Sequence, residues 1–328
     1  MKIGSTNPLA PHRGNACQLG SSSVTDLRIA VGPFRTASVD QAVRAGGGLP
    51  VDADESANGL VWLAPWDTAG LVSAIDATDA QWVQLSSAGV EIAAAAGVFS
   101  LARTWTCAKG AFAEPVAEHA LTLALAGLRM LPERVVARSW GKPGGVSLYD
   151  ERVTIVGGGG ITASLLDLLA PFRVVATVVR RTARLMPGAA RTLTKDRLIE
   201  ALAEAKVVFL ALALTRETEH IIGAPQLAAM RPDSWLVNVA RGGHVDTGAL
   251  VTALEDGVIA GAALDVTDPE PLPDDHPLWT QPRCIITPHT ADTLEMIEQP
   301  LARRIEENVA RFKVGEPLVG VVDPTAGY

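Results

Sequence analysis

Short apolar runs recur along the chain and are separated by longer segments with helical periodicity. The runs are rich in valine, isoleucine and leucine and are bounded by glycine, proline or polar residues, which is typical of strands buried within a parallel sheet. In the first third of the chain the runs are residues 27–31, 60–64, 82–86 and 103–107. Further along they are residues 153–156, 174–179, 207–212, 235–240, 260–266 and 283–287. The alternation predicts an α/β protein with parallel sheets.

Two predicted helices bear on the overall arrangement. Residues 116–131 are apolar nearly all round and end before Pro132, so we expect this helix to be buried between domains or between subunits. Residues 293–313 carry apolar side chains at steps of three and four and are followed by glycine and proline stop signals. Pro300 is predicted to kink this last helix or to mark its start. Shorter helices are predicted at residues 161–169, 195–203 and 249–255.

Composition and charge limit the classes of partner. At 328 residues the chain is long enough for two domains of ordinary size, and 48% hydrophobic with 20% charged residues indicates a globular protein. The net charge of −8 argues against nucleic acid or an anionic membrane as the main partner. The net charge is still compatible with a small anionic substrate, because arginines close to a binding site outweigh the negative charge of the whole protein. The longest apolar runs fall far short of the ~20 residues that span a bilayer.

The cysteines and the first segment add little about function. Cys17, Cys107 and Cys284 are odd in number and lack CxxC spacing, so no disulfide framework, zinc site or other metal site is predicted and a reducing cytoplasm is expected. Residues 1–24 carry only Lys2 and Arg13 as charges and have no signal-peptide core. We interpret them as a poorly ordered extension or as a segment added for expression.

A glycine turn follows the apolar strand at residues 153–156. The sequence Gly157-Gly158-Gly159-Gly160-Ile161 then opens a predicted helix, which is how dinucleotide-binding sites begin. In the GxGxxG frame the first two glycines are Gly157 and Gly159, and Thr162 stands where the third belongs. Losing that glycine affects helix–strand packing more than phosphate contact. Taken alone, the turn is also compatible with a flexible strand–helix connection that binds no ligand.

The end of the next strand indicates which dinucleotide is used. Enzymes that use NAD place an acidic residue there, on the ribose hydroxyls. This chain has Arg180 and Arg181 instead, followed by Thr182. A guanidinium pair fits a 2′-phosphate, which predicts NADP(H) as the preferred cofactor with NAD(H) as the alternative. The competing interpretation makes both arginines solvated loop residues.

Three ionisable residues follow strands near the C-terminus. Arg241 ends Asn-Val-Ala-Arg, Glu270 lies in Asp-Pro-Glu-Pro, and His289 ends Thr-Pro-His. Such a trio suits the reduction of a 2-keto acid, since the guanidinium binds the carboxylate, the imidazole protonates the carbonyl oxygen and the carboxylate keeps the imidazole charged. Of the other histidines, His119 lies on the apolar helix and is predicted to be a packed, hydrogen-bonded core residue.

These motifs resemble the D-isomer-specific 2-hydroxyacid dehydrogenase family, over about residues 27–318. The resemblance implies that Arg241, Glu270 and His289 are catalytic and that Asp265 contacts the nicotinamide carboxamide. It also implies that the backbone of Ala88, Gly89 and Val90 holds the substrate carboxylate, together with Arg241. The cofactor would be held by Gly157, Gly159, Gly160, Ile161, Arg180, Arg181, Val239, Ala240, Arg241, Asp265 and His289.

The same resemblance implies a two-domain α/β fold. One domain is a doubly wound Rossmann sheet at residues 116–289 that binds the dinucleotide. The other is a smaller, flavodoxin-like substrate domain, made of residues 25–115 and completed by residues 290–320. The active site is expected in the cleft between them, in a homodimer.

Some residues depart from the family pattern. Ala213 stands where proline is frequent, Asp292 stands where a small residue is usual after the histidine, and Thr162 replaces a glycine. None of these changes removes a reacting group. They indicate a divergent member, so the substrate is less firmly predicted than the reaction.

The expected activity is NAD(P)-dependent interconversion of a 2-keto acid and a D-2-hydroxy acid, with glyoxylate or hydroxypyruvate as the first candidate substrates. A phosphoglycerate dehydrogenase-like enzyme is less favoured, because no regulatory domain follows Tyr328. A formate dehydrogenase-like enzyme would have glutamine at the position of Glu270. A nucleotide-sensing protein that has lost turnover is the alternative from another class, and the intact trio argues against it.

Overall fold

The chain folds around two separate β-sheets, as the alternation of strands and helices predicts. A computed structural model describes residues 26–99 and 103–323. The predicted extension at residues 1–24 lies outside the described residues. Pairing is parallel throughout both sheets, which agrees with strands that are apolar on both faces. No helix in the described ranges is both long and apolar enough to cross a membrane.

The first sheet is built from the N-terminal part of the chain. Its strands are β1 (Arg28–Gly32), β2 (Leu49–Asp52), β3 (Gly59–Trp62), β4 (Trp82–Leu85) and β5 (Thr104–Thr106). They lie in the order β2-β1-β3-β4-β5, which is the flavodoxin-like order. The helices between them are α1 (Ala37–Ala45), α2 (Thr68–Thr78) and α3 (Glu91–Ala95). The sequence pattern predicts four of these strands and misses β2, a short edge strand that contains Pro50.

The second sheet is doubly wound. Its strands are β6 (Arg152–Val156), β7 (Val175–Val179), β8 (Arg191–Leu193), β9 (Val207–Leu210), β10 (Trp235–Asn238), β11 (Gly261–Leu264) and β12 (Cys284–Ile286). They lie in the order β12-β11-β10-β9-β6-β7-β8. The chain starts in the middle at β6, runs to one edge and returns beside β6 as β9. Ligands bind outside the carboxyl ends of the strands where the order reverses in this way.

Six helices accompany the second sheet. They are α4 (Ala113–Leu128), α5 (Leu131–Val136), α6 (Gly160–Leu169), α7 (Leu198–Glu204), α8 (Ala224–Ala229) and α9 (Thr247–Glu255). The burial predicted for α4 is confirmed for one side of the helix, where Ala117, Ala120 and Ala124 are fully covered, whereas Glu118 and Thr122 are exposed. The helix ends at Leu128, three residues before the predicted end at residue 131. Met130 has φ +56°, and Pro132 lies in the first turn of α5, where its missing N–H leaves no helical hydrogen bond unmade.

The last helix, α10 (Leu294–Val314), returns to the first sheet. It packs along α1, and the ring of Phe312 lies 5.2 Å from that of Trp82 in β4. Asn308 donates a hydrogen bond from Nδ2 to Oε1 of Gln84, also in β4, at 2.8 Å. Pro300 lies inside this helix, so it does not mark the helix start.

Candidate functional site

The glycine turn joins β6 to α6 in the middle of the second sheet. Gly157 has φ +123°, and a Cβ there would lie 1.9 Å from the carbonyl oxygen of Ala211, so only glycine fits. Gly159 is the N-cap of α6, with open space where a Cβ would point and no side-chain hydrogen bond capping the helix. The N–H groups of Gly160 and Ile161 at this helix start are therefore suited to binding an anion. The turn fits the pyrophosphate of a dinucleotide.

Thr162 lies on the packed side of α6. Its side chain is fully buried, and its hydroxyl has no hydrogen-bond partner among the described residues. Because Thr162 faces the protein interior, having threonine in place of glycine here affects the packing of α6 and not the anion-binding turn.

Arg180 lies beside the glycine turn. A Cβ on Gly158 would come within 2.8 Å of Cδ and Nε of Arg180, so this side chain lies over the backbone of the turn. Arg181 follows it on the exposed surface. A cation next to the turn favours a phosphorylated ligand. Contact of either arginine with a 2′-phosphate stays a prediction.

Arg241, Asp265 and His289 come together because β10, β11 and β12 are parallel neighbours. Each residue lies just beyond the carboxyl end of its strand. The turn before Arg241 is fixed by the buried Asn238, which donates from Nδ2 to the Arg241 carbonyl at 2.9 Å and accepts from the N–H of Ala240 at 3.0 Å. Val239 and Ala240, which are predicted to contact the cofactor, are buried.

His289 is paired with Glu270. The Nδ1 atom of His289 lies 2.6 Å from Oε1 of Glu270, and each side chain is 41% exposed. The contact of Nδ1 with the carboxylate fixes the orientation of the imidazole and leaves Nε2 as the nitrogen that can reach a substrate. The backbone supports this orientation, because the His289 N–H donates to the carbonyl of Asp265 at 2.8 Å. The pair is chemically equipped to move a proton.

Asp265 holds the turn that carries His289. Its carboxylate accepts hydrogen bonds from the Thr287 hydroxyl at 2.6 Å and from the N–H groups of Thr290 and Ala291 at 2.9 and 3.1 Å. Burial raises the pKa of Asp265, but these bonds and one from His119 outweigh it and lower the pKa to about 2. The carboxylate therefore stays charged. Its predicted contact with a nicotinamide carboxamide stays a prediction.

His119 lies at the edge of this site. Its Nε2 atom is 3.0 Å from the Thr287 hydroxyl and 3.2 Å from Oδ1 of Asp265, and its side chain is 20% exposed. The prediction of a hydrogen-bonded histidine is confirmed, and its placement in the core is wrong. No sequence signal links His119 to Thr287, because 168 residues separate them.

The loop after β4 lies against Arg241. In this loop Ala88 is exposed, Gly89 is half-buried and Val90 is buried, so Val90 can offer a ligand only its backbone. The next residue, Glu91, has Oε1 3.2 Å from Nε of Arg241. Glu91 ends the segment that resembles the substrate loop, but no role is predicted for its side chain. Its position directly after the predicted substrate loop is the only signal that could have drawn attention to it.

Asp292 adds a further acidic group near His289. It is half-buried, and burial raises the pKa of its carboxyl, while the positive charges of His289 and Arg241 act in the opposite direction. From the sequence, Asp292 is only a departure from the small residue that is usual at this position. In the structure it interacts electrostatically with two members of the predicted trio, His289 and Arg241.

Comparison with known families identifies one match. The family described as "D-isomer specific 2-hydroxyacid dehydrogenase, NAD binding domain" matches residues 119–291. This range contains the glycine turn, the arginine pair and the predicted catalytic trio, and it includes all seven strands of the second sheet.

Individual proteins are similar over more of the chain. An "uncharacterized protein in proB 3′region" of Corynebacterium melassecola is 42% identical over 76% of this chain and 84% of its own. A "glyoxylate/hydroxypyruvate reductase A" of Photorhabdus laumondii is 31% identical over 64% of this chain and 68% of its own. A solved D-isomer specific 2-hydroxyacid dehydrogenase of Xanthobacter autotrophicus, in complex with NADPH and MES, is 27% identical. It has a TM-score of 0.78 and covers 92% of this chain and 99% of its own.

Proposed function

The chain belongs to the D-isomer specific 2-hydroxyacid dehydrogenase family and is an NAD(P)-dependent oxidoreductase, and from this premise we propose that it reduces a small 2-keto acid, glyoxylate or hydroxypyruvate, to the corresponding 2-hydroxy acid. The observation that carries the proposal is the His289–Glu270 pair, 2.6 Å apart, at the same sheet edge as Arg241. The similarity to a glyoxylate/hydroxypyruvate reductase supports this choice of substrate.

Each member of the trio has a distinct task in the proposed reaction. Arg241 binds the substrate carboxylate and polarises the keto oxygen. His289 donates its Nε2 proton to that oxygen, and Glu270 keeps the imidazole oriented and charged until the transfer. The bound dinucleotide supplies the hydride. Asp265 acts through the backbone, because it holds the turn on which His289 lies.

NADPH is the proposed reductant in preference to NADH. Two features support this choice: Arg180 lies over the glycine turn, and residues 180–184 contain three arginines and no acid. An acid there would repel a 2′-phosphate, whereas a guanidinium attracts it.

The test of the function is an absorbance assay at ~340 nm with NADPH and NADH against a panel of 2-keto acids. We expect turnover of glyoxylate and hydroxypyruvate with NADPH. Binding of NADPH without turnover of any keto acid in the panel would contradict the proposal and favour a nucleotide-sensing protein.

We also propose the domain boundaries and the assembly. The substrate domain consists of residues 25–115 and 290–320, and the dinucleotide domain of residues 116–289. The assembly is a homodimer whose subunits meet through α5 and the segment after it. This region exposes large apolar side chains: Leu131, Val135, Val136, Trp140, Val146 and Tyr149. Apolar patches of this kind usually mark association sites.

A further inference from the structure

Arg241 already has an anionic partner in this structure. Its Nε atom lies 3.2 Å from Oε1 of Glu91, and its Nη2 atom lies 3.5 Å from Oε2 of the same residue. Both side chains are about one-third exposed. The proposed binding group for the substrate carboxylate is therefore engaged by a carboxylate of the chain itself.

The loop that carries Glu91 also takes up the space beside the guanidinium. A Cβ on Gly89 would lie 1.9 Å from Nη2 of Arg241 and 2.4 Å from Oε2 of Glu91. A single methyl group does not fit between Gly89 and the guanidinium, so a substrate carboxylate does not fit there either. A keto acid that binds this side of the guanidinium therefore has to displace the Glu91 carboxylate.

Displacement does not take Glu91 out of the cleft. Glu91 is the first residue of α3, and the preceding residue, Val90, is anchored in the core of the first domain. The released carboxylate thus stays within several ångströms of a substrate held by Arg241. Asp292, which also interacts electrostatically with Arg241 and His289, adds to the negative character of this region.

We propose that Glu91 is a specificity-determining residue, which competes with the substrate carboxylate for Arg241 and disfavours any substrate that carries a second negative charge. This inference rests on the proposed function and extends it. A 2-keto monocarboxylate, such as glyoxylate or hydroxypyruvate, has only to replace Glu91 in the ion pair. A 2-keto dicarboxylate has to do the same and is repelled by the displaced Glu91 as well.

The test compares the unmutated enzyme with Glu91→Gln, which removes the charge and keeps the shape. A partly exposed ion pair contributes little, so Glu91→Gln should lower the KM for hydroxypyruvate by about two- to fivefold. Two charges roughly 6 Å apart interact by an amount equivalent to about threefold in affinity in bulk water, and by more near a protein surface, where the effective dielectric constant is lower. The preference for hydroxypyruvate over 2-ketoglutarate, as a ratio of kcat/KM, should therefore fall by about threefold or more. Glu91→Asp, which keeps the charge, should retain the preference.

Glu255→Gln serves as the control, since it removes one negative charge from an exposed position at the end of α9. It should leave both KM and the substrate preference unchanged. A KM that rises or stays the same in Glu91→Gln would overturn the proposal, because Glu91 would then orient Arg241 instead of competing for it. An unchanged preference between the two substrates would overturn it equally.

A binding experiment separates this inference from the proposed function. Oxamate, a non-reducible analogue of a 2-keto acid, is titrated calorimetrically into the enzyme with NADPH present. Tighter binding to Glu91→Gln supports competition at Arg241 even if no keto acid of the panel is reduced. Equal or weaker binding to the variant, or no binding to either protein, would contradict the inference.

Discussion

At the scale of single residues, the reaction depends on groups that act on the substrate and not on the dinucleotide. We predict that His289→Ala or Arg241→Ala abolishes keto acid reduction and leaves NADPH affinity within a few-fold, because the glycine turn holds the cofactor. Steady-state kinetics and a fluorescence titration with NADPH measure the two effects. Arg44→Ala, on the exposed side of α1, serves as a control. A kcat near that of the unmutated enzyme in His289→Ala would disprove the assignment of the proton donor.

A second residue-scale prediction concerns the partner of the proton donor. Glu270→Gln removes the carboxylate whose Oε1 lies 2.6 Å from Nδ1 of His289, so the imidazole loses the group that orients it. The kcat for keto acid reduction should therefore fall, while the affinity for NADPH stays within a few-fold. Initial-rate kinetics and a fluorescence titration with NADPH measure the two effects. An unchanged kcat in Glu270→Gln would show that Glu270 does not support the proton donor.

Asp265 gives a prediction for stability. Its pKa falls from 3.8 to about 2 in the folded protein, which corresponds to about 2 kcal/mol of free energy of unfolding at neutral pH. A group with a lowered pKa stabilises above its ordinary pKa and loses that contribution as the pH falls toward 2. Asp265→Asn should therefore be destabilised by about 2 kcal/mol at pH ~7 and by much less near pH ~2.

Urea unfolding at both pH values measures this difference. Asp256→Asn, which changes an exposed aspartate after α9, is the matched control and should unfold like the unmutated protein. The same loss of stability at both pH values would show that the charge of Asp265 is not the cause.

At the scale of elements, the end of β7 next to the glycine turn sets the cofactor preference. Each charge-assisted contact to a 2′-phosphate is worth roughly 1.5–3 kcal/mol, and exposure brings it toward the lower value. We predict that Arg180→Asp with Arg181→Ala inverts a preference for NADPH, chiefly through the cofactor KM. Kinetics with both cofactors at two salt concentrations measure the change, and the salt dependence of NADPH binding should largely disappear.

A matched double change, Arg303→Asp with Arg44→Ala, alters the charge equally at exposed positions and should leave the preference intact. Equal kcat/KM for NADPH and NADH in the unmutated enzyme would refute the prediction. It would favour the alternative interpretation, in which both arginines are loop residues that do not bind the cofactor.

Comparison of the strands and helices with the sequence patterns shows which of them could be predicted. Strands with continuous apolar runs, such as β6 and β9, were predictable because burial on both faces leaves a strong pattern. The edge strands β2 and β8 were not, since strands of four and three residues with proline, aspartate or arginine leave no such pattern. The end of α4 was misplaced because proline is compatible with the first turn of the following helix.

Within the site, residues that follow strands could be predicted and contacts across the cleft could not. Arg241 and His289 follow strands with recognisable motifs. Glu91 and His119 reach the site from distant parts of the chain, 150 residues from Arg241 and 168 from Thr287. Such contacts depend on how the two sheets pack, which no local pattern encodes.

At the scale of the whole molecule, the exposed apolar surface around α5 predicts association. Trp140 is 97% and Val135 76% exposed, so we expect light scattering to give about twice the chain mass of 34.3 kDa. Val135→Lys with Trp140→Lys should yield the monomer, whereas Val72→Lys, at an exposed valine of α2, should not. A monomeric unmutated protein would contradict the homodimer.

The return of α10 to the first sheet has a consequence for how the protein can be divided. Ile305 and Val309 of α10 are fully buried in the cluster that contains Ile29 and Val43. A fragment that ends before Leu294 would leave the apolar face of α1 open to water, although it still contains every strand. The first unit therefore cannot be excised as one uninterrupted stretch of gene, whereas the second unit is continuous along the chain. Exchanging the substrate domain between relatives requires two junctions in the sequence, one before and one after the residues that form the second sheet.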